Sequence, residues 1–202
     1  MARLKMSAVH RDFERELNTL LRLDRHNQSR TELNKKQLIL LTEGVFLAAF
    51  RAFENFLEES FLLYTLEKQG LSGRKPRSFL KPRSYNHSRE LVRSSMPFLD
   101  WANPETVIQR AETYLQNGGP IKTVLAGAKH DLLDMKILRN QIAHNSSESR
   151  SQYKKMLRRI YGTIPLSIPP PGWHLLKQKT SRVHYLYYYI TRLLDIGRAI
   201  SQ

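Results

Sequence analysis

Nine consecutive residues, Leu138-Arg139-Asn140-Gln141-Ile142-Ala143-His144-Asn145-Ser146, hold the side chains of this chain best suited to chemistry. Arg139 is permanently charged and shaped to grip phosphoryl oxygens. His144 is the residue type whose ordinary pKa, about 6.5, suits proton transfer near neutral pH. Cleaving RNA without a metal needs three things. A proton leaves the 2′-hydroxyl, charge is stabilised on the phosphoryl oxygens as that hydroxyl attacks, and a proton reaches the departing 5′-oxygen. Histidine serves both proton transfers, and arginine, a fixed fork of donors, serves the middle task. The expected products are a 2′,3′-cyclic phosphate and a 5′-hydroxyl. DNA lacks the nucleophile and is not a substrate for such a pair.

The spacing sets conditions on the site. Residues five apart lie about 140° around a helix and about 7.5 Å along it. Arg139 and His144 are therefore not expected to stack unless the helix end unwinds near Asn145. Asn140 lies one turn beneath His144, where its amide could orient the imidazole. One histidine per chain must also be both acid and base, a difficulty that a twofold dimer would remove by bringing two Arg139 and two His144 to one cleft. A plainer reading exists. Histidine near a helix C-terminus is favoured by the macrodipole and asparagine is a common left-handed cap, while Arg139 could be an ordinary ion-pair residue beside Asp131 or Asp134.

The segment from Arg139-Asn140 to His144 resembles the Arg-polar-x-x-x-His signature of the HEPN superfamily, and the phrase around it, "LRNQIAHNS", adds to the likeness. The run from Phe50 to Glu58 is similar in character to a helix of that family. The resemblance implies an all-helical domain, and a metal-independent endoribonuclease of toxin–antitoxin, CRISPR-associated or phage-defence systems. It implies Arg139, Asn140 and His144 as the catalytic set, a site completed across a homodimer, and an antitoxin or other regulatory protein that restrains cutting.

The chain has 202 residues, 33 Lys+Arg against 18 Asp+Glu, a net charge of +15 and no cysteine. Disulfides, iron–sulfur clusters and thiolate zinc sites are thereby excluded. The seven histidines make no His-x-x-x-His pair, so neither a metal nor a cofactor is expected. The N-terminus is charged from Arg3 onward, unlike a signal peptide, and no apolar stretch approaches the ~20 residues of a membrane span. A cytoplasmic protein is expected. Residues 1–69 carry 11 basic against 10 acidic groups, a net of +1, whereas 70–202 carry 22 against 8, a net of +14. Two stretches hold base without acid: Arg74 to Arg83, and Arg150 to Arg182. Within the second, Lys154, Lys155, Arg158 and Arg159 at i, i+4 spacing form the expected RNA-binding surface. The alternative function is a non-catalytic helical module that binds RNA or a partner protein.

The elements that must position these groups all read as helices, giving an all-α bundle of about five to seven helices around one long central helix. One domain is expected: residues 1–34 as an N-terminal helix and connection, 35–161 as a core bundle with the motif, and 162–202 as a proline-rich loop and C-terminal helix. The first helix is predicted over Ser7–Asp24, with Val9, Phe13, Leu17, Leu20 and Leu21 on one face. The long helix is predicted from Lys35 to Gln69, capped by Gly70. Its Glu43, Arg51, Glu54 and Glu58 fall within an arc of about 80° and read as its exposed stripe. Further helices are predicted over Asn86–Met96, from an Asn103-Pro104 start to Gly118-Gly119, over Pro120–His144 with a break near Gly127, over Ser147–Tyr161, and over Ser181–Ile200. Residues 162–172 read as extended loop, no strand pair is evident, and His130 lies too far up its helix to join His144. Tyr185, Tyr188 and Tyr189 read as core more readily than as base-stacking platforms.

Overall fold

The computed structural model describes residues 5–94, 99–163 and 167–202. Among these the chain is all-α, 74% helical. Eight helices run in order: α1 (Met6–Ser29), α2 (Lys35–Thr65), α3 (Tyr85–Arg93), α4 (Pro104–Tyr114), α5 (Gly119–His144), α6 (Ser147–Tyr161), α7 (Pro171–Leu175) and α8 (Tyr185–Ser201), with a 3₁₀ turn at Gln116–Gly118. The helix beyond the seven expected is α7, five residues without a side-chain cap, which begins at Pro171 inside the stretch 162–172 expected to be extended loop. Strands β1 (Gln178–Thr180) and β2 (Val183–His184) pair antiparallel just where α8 was expected to begin. So short a pair leaves no periodicity to read.

Side-chain caps open α2, α3, α4 and α6. Asn34 and Gln37 exchange reciprocal bonds, Asn34 N–H to Gln37 Oε1 at 2.9 Å and Gln37 N–H to Asn34 Oδ1 at 3.0 Å, a capping box that opens α2. Ser84 Oγ accepts from His87 N–H at the start of α3, and Asn103 Oδ1 from Glu105 N–H ahead of Pro104. The polar segment after Asp24 has no such stop, so α1 runs on to Ser29. The long helix ends at Thr65 and not at Gly70, because Glu67 takes the left-handed conformation (φ 53°) while Lys68 N–H returns to Leu63 O. Gly127 interrupts nothing in α5. The expected helix end at Met96 and the Ile164-Pro165 pair lie outside the described residues.

By contacts the chain divides into two compact units, the first Met1–Arg15, Ala52–Leu132 and Leu193–Gln202, the second Glu16–Arg51 and Leu133–Arg192. In the first, Phe13 stacks on Phe56 with ring centroids 4.4 Å apart. Gly197 lies so close beneath Phe13 that a Cβ would stand 2.4 Å from the ring. Tyr64 Oη donates to Ile200 O at 2.5 Å. The basic loop before α3 is pinned by main chain, Phe79 N–H to Tyr114 O and Gln116 N–H to Arg77 O, each at 2.9 Å.

The second unit holds the motif. Its buried side chains include Phe46 and Phe50 of α2, Met135 and Leu138 of α5, Tyr153, Met156 and Leu157 of α6, and Tyr189 of α8. At its interior sits His174, fully buried, with Nδ1 2.7 Å from Tyr161 Oη and Nε2 3.4 Å from Tyr189 Oη. Tyr153 Oη donates to Pro170 O at 3.3 Å and Glu43 Oε1 accepts from Gly172 N–H at 2.8 Å, so the proline run is tied to both α6 and α2. Gly172 is required there, since a Cβ would stand 2.6 Å from Ile39 O.

Candidate active site at the α5–α6 junction

The last turn of α5 and the first of α6 are joined by two residues, and local chemistry fixes the turn. Asn145 adopts φ 44°, in the left-handed region that asparagine tolerates, while its N–H still reaches Gln141 O at 3.2 Å. Ser146 then caps α6, its Oγ accepting from Ser149 N–H at 3.1 Å. A part-buried clamp reinforces both ends. Gln141 Nε2 donates to Asn145 Oδ1 at 2.8 Å, and Ser149 Oγ donates to Gln141 Oε1 at 3.0 Å. Gln141, Asn145 and Ser149 left no catalytic signal in the sequence, because their work is done by ordinary amides and a hydroxyl.

On this fixed end the motif side chains meet. Arg139 Nη1 lies 3.3 Å from His144 Nε2 and donates to Asn140 Oδ1 at 3.1 Å. The helix does not unwind to allow it: α5 is helical through His144. The long arginine stem instead carries the guanidinium down and across the helix, a reach that backbone angles alone understate. This corrects the expectation that the pair would stand apart. Asn140 was expected to orient the imidazole; its amide oxygen meets the guanidinium of Arg139. A guanidinium only donates, so a hydrogen bond between the two requires the tautomer in which Nε2 accepts and Nδ1 carries the proton. Arg139 and Asn140 are half-buried and His144 is exposed. A phosphate could reach all three.

The basic residues following the motif divide into two sorts. Lys154, Lys155 and Arg158 are exposed on α6 and pair with no carboxylate among the described residues. Arg159 is different. Its Nη2 lies 2.5 Å from Asp134 Oδ1, whose side chain is nearly buried. The expected four-residue uncompensated surface is therefore a three-residue one, and Arg159 ties α6 to α5. Arg150 is exposed and has no carboxylate partner among the described residues. The arc on α2 is not an exposed stripe throughout. Arg51 is exposed, whereas Glu43, Glu54 and Glu58 are half-buried. Burial pushes the Glu43 carboxyl above the usual carboxylate range, against the smaller opposing effect of the Gly172 N–H. Of the tyrosines, Tyr185 and Tyr189 are buried and Lys179 Nζ sits 4.1 Å over the Tyr188 ring.

Glu43 lines a cavity of about 320 Å³ with Gln141, Ile142, Asn145, Arg150 and the proline run 169–171. Around α5, Arg139 and His144 lie on one side and this cavity opens on the other, by the 100° advance of each helical residue. Among the described residues no group of three or more His, Cys, Asp or Glu side chains could hold a metal, and no helix is long and apolar enough to cross a membrane. No family model, curated protein or solved structure matches the chain.

Proposed function

We propose that this protein is a metal-independent endoribonuclease of the HEPN type, with Arg139 and His144 as its catalytic residues. The observation that carries the reading is the 3.3 Å approach of Arg139 Nη1 to His144 Nε2 at an accessible helix end. It joins a phosphate-binding group and a proton-transfer group in one chain. The pairing also supplies an order of events. A phosphodiester is a stronger partner for a guanidinium than a neutral imidazole is. Arrival of the scissile phosphate draws Arg139 onto its oxygens and uncovers the Nε2 lone pair, which then takes the proton of the 2′-hydroxyl. Asn140 keeps the guanidinium at this end of the helix throughout. The 2′-oxygen attacks phosphorus, the bond to the 5′-oxygen breaks, and that oxygen is protonated by an imidazolium.

In this reading a second copy of the chain supplies the second imidazole, so that base and acid are separate groups. Lys154, Lys155 and Arg158 hold the flanking phosphates. A regulatory partner such as an antitoxin restrains the activity. One observation favours the rival reading, a non-catalytic RNA- or partner-binding module: without substrate, the Nε2 lone pair is already occupied by Arg139. Product chemistry separates the two. Purified protein in excess EDTA should convert an RNA oligonucleotide to fragments ending in 2′,3′-cyclic phosphate. The same oligonucleotide with a single 2′-deoxy sugar at the cut position should remain whole. Abolition by chelator, or cutting at the deoxy position, would end the mechanism.

A further inference from the structure

The cavity beside the motif has a chemistry that the cleavage step does not use. Glu43 brings a carboxylate with one oxygen tied to Gly172 N–H and no cationic partner among the described residues. Asn145 spends its Oδ1 on Gln141, and its Nδ2 donates to no described residue. Arg150 offers a guanidinium with no carboxylate partner among the described residues. Ile142 and the proline run give apolar walls, and the volume, about 320 Å³, lies at the small end of ligand sites, which run from roughly 300 to 1,000 Å³. The lining thus brings an acceptor, donors and apolar groups to one cavity.

We propose that this cavity is a base-recognition subsite for a guanine of the RNA strand, with Glu43 accepting from the base's N1–H and 2-amino group and Asn145 and Arg150 donating to O6 and N7. The inference takes its ligand from the ribonuclease reading. Among the four bases, guanine alone presents two adjacent donors on its Watson–Crick edge, the pattern a carboxylate accepts side by side. Adenine places a bare acceptor at N1, where it would face the carboxylate and be repelled. Uracil offers a single N–H between two carbonyls. Guanine also presents O6 and N7 together, the pair that arginine and amide donors read in nucleic acids. Unpaired bases of single-stranded RNA are open to reading on both edges. The raised pKa of Glu43 fits a carboxylate buried while waiting for donors. The cavity and the Arg139–His144 pair lie on opposite sides of one helix end, about 10–12 Å across. A flexible strand wrapping that end would place the guanine within neighbouring nucleotides of the scissile phosphate.

Binding tests this apart from cleavage. His144→Ala protein, titrated with fluorescent trinucleotides UGU, UAU and UIU, should bind the guanine strand on the order of ten-fold or more tightly than the adenine strand. Inosine, lacking the 2-amino group, should fall between them. Glu43→Gln should erase the difference. Asn145→Gly, which keeps the left-handed backbone, should lose discrimination against 7-deazaguanine. Unlabelled GMP as competitor assigns the source: weak competition means a base within a strand, and competition equal to the trinucleotide means a free guanine nucleotide, both supporting a guanine site. Equal affinity for UGU and UAU, or a preference untouched by both folded variants, would overturn the proposal. Guanine-selective binding by a protein that cuts no RNA would leave the subsite standing and remove the nuclease reading. Cleavage with no base preference would do the reverse.

Discussion

His174 should make this protein acid-labile in a defined pH window. The ring is fully buried beside Tyr161, Tyr185 and Tyr189, and burial, helped by the nearby charges of Lys179 and Arg159, lowers its pKa from 6.5 to about 3. The folded state thus binds its proton only near pH 3, whereas the unfolded chain binds one below about pH 6.5. Between those values the unfolded state holds more protons, so stability is full above the window and falls as pH falls through it. The slope approaches 1.4 kcal/mol per pH unit, and the loss from neutral pH reaches about 2 kcal/mol near pH 5 and about 3 kcal/mol near pH 4. Against a typical total of 5–15 kcal/mol that is a large share. Glu43 acts in the opposite direction, since its raised pKa lets the folded state gain stability as its carboxyl protonates. Urea denaturation of wild type and His174→Gln across this range, taken as a difference, cancels Glu43. The variant should be weaker at neutral pH, having lost packing, yet should close much of the gap to wild type on acidification. A gap that stays constant from pH 7.5 to pH 4 would refute the buried neutral histidine.

Reversing Lys154, Lys155 and Arg158 to glutamate should weaken RNA binding far more than reversing Lys5, Arg11 and Arg15. It should also lower the log–log salt slope by about 2, at about 0.7 per phosphate for single strands; equal losses from both sets would make the basic half a matter of solubility. Asn140→Ala should reduce cleavage less than Arg139→Ala and act mainly through substrate affinity, because its amide oxygen holds the guanidinium. A shift in the pH profile of the maximal rate instead would return Asn140 to the histidine.

The helical class was readable from the Asn103-Pro104 start, where Asn103 Oδ1 accepts from Glu105 N–H, and from the apolar face of α1, whose Val9, Phe13 and Leu17 are buried. The end of α2 was not, because Glu67 takes the left-handed position while a glycine stands three residues on. Nor was the β1–β2 pair, too short to carry alternation. At the site, residue types pointed to Arg139 and His144, but helical angles said that they would stay apart. Only side-chain reach brings them together. The Asp134–Arg159 pair and the Glu43 cavity were hidden for another reason, since both join segments distant in sequence.

The most direct test of the nuclease reading is single-turnover cleavage of a fluorescent RNA in excess EDTA by wild type, Arg139→Ala and His144→Ala proteins. Each variant should first be shown folded by circular dichroism. Both substitutions lie at a half-buried or exposed helix end and should leave the fold intact. Wild type should cut, and each variant should be slower by on the order of 100- to 1,000-fold, the typical cost of losing one group that stabilises transition-state charge. Equal cleavage by wild type and folded His144→Ala, or no cleavage by wild type of any RNA offered, would contradict the account.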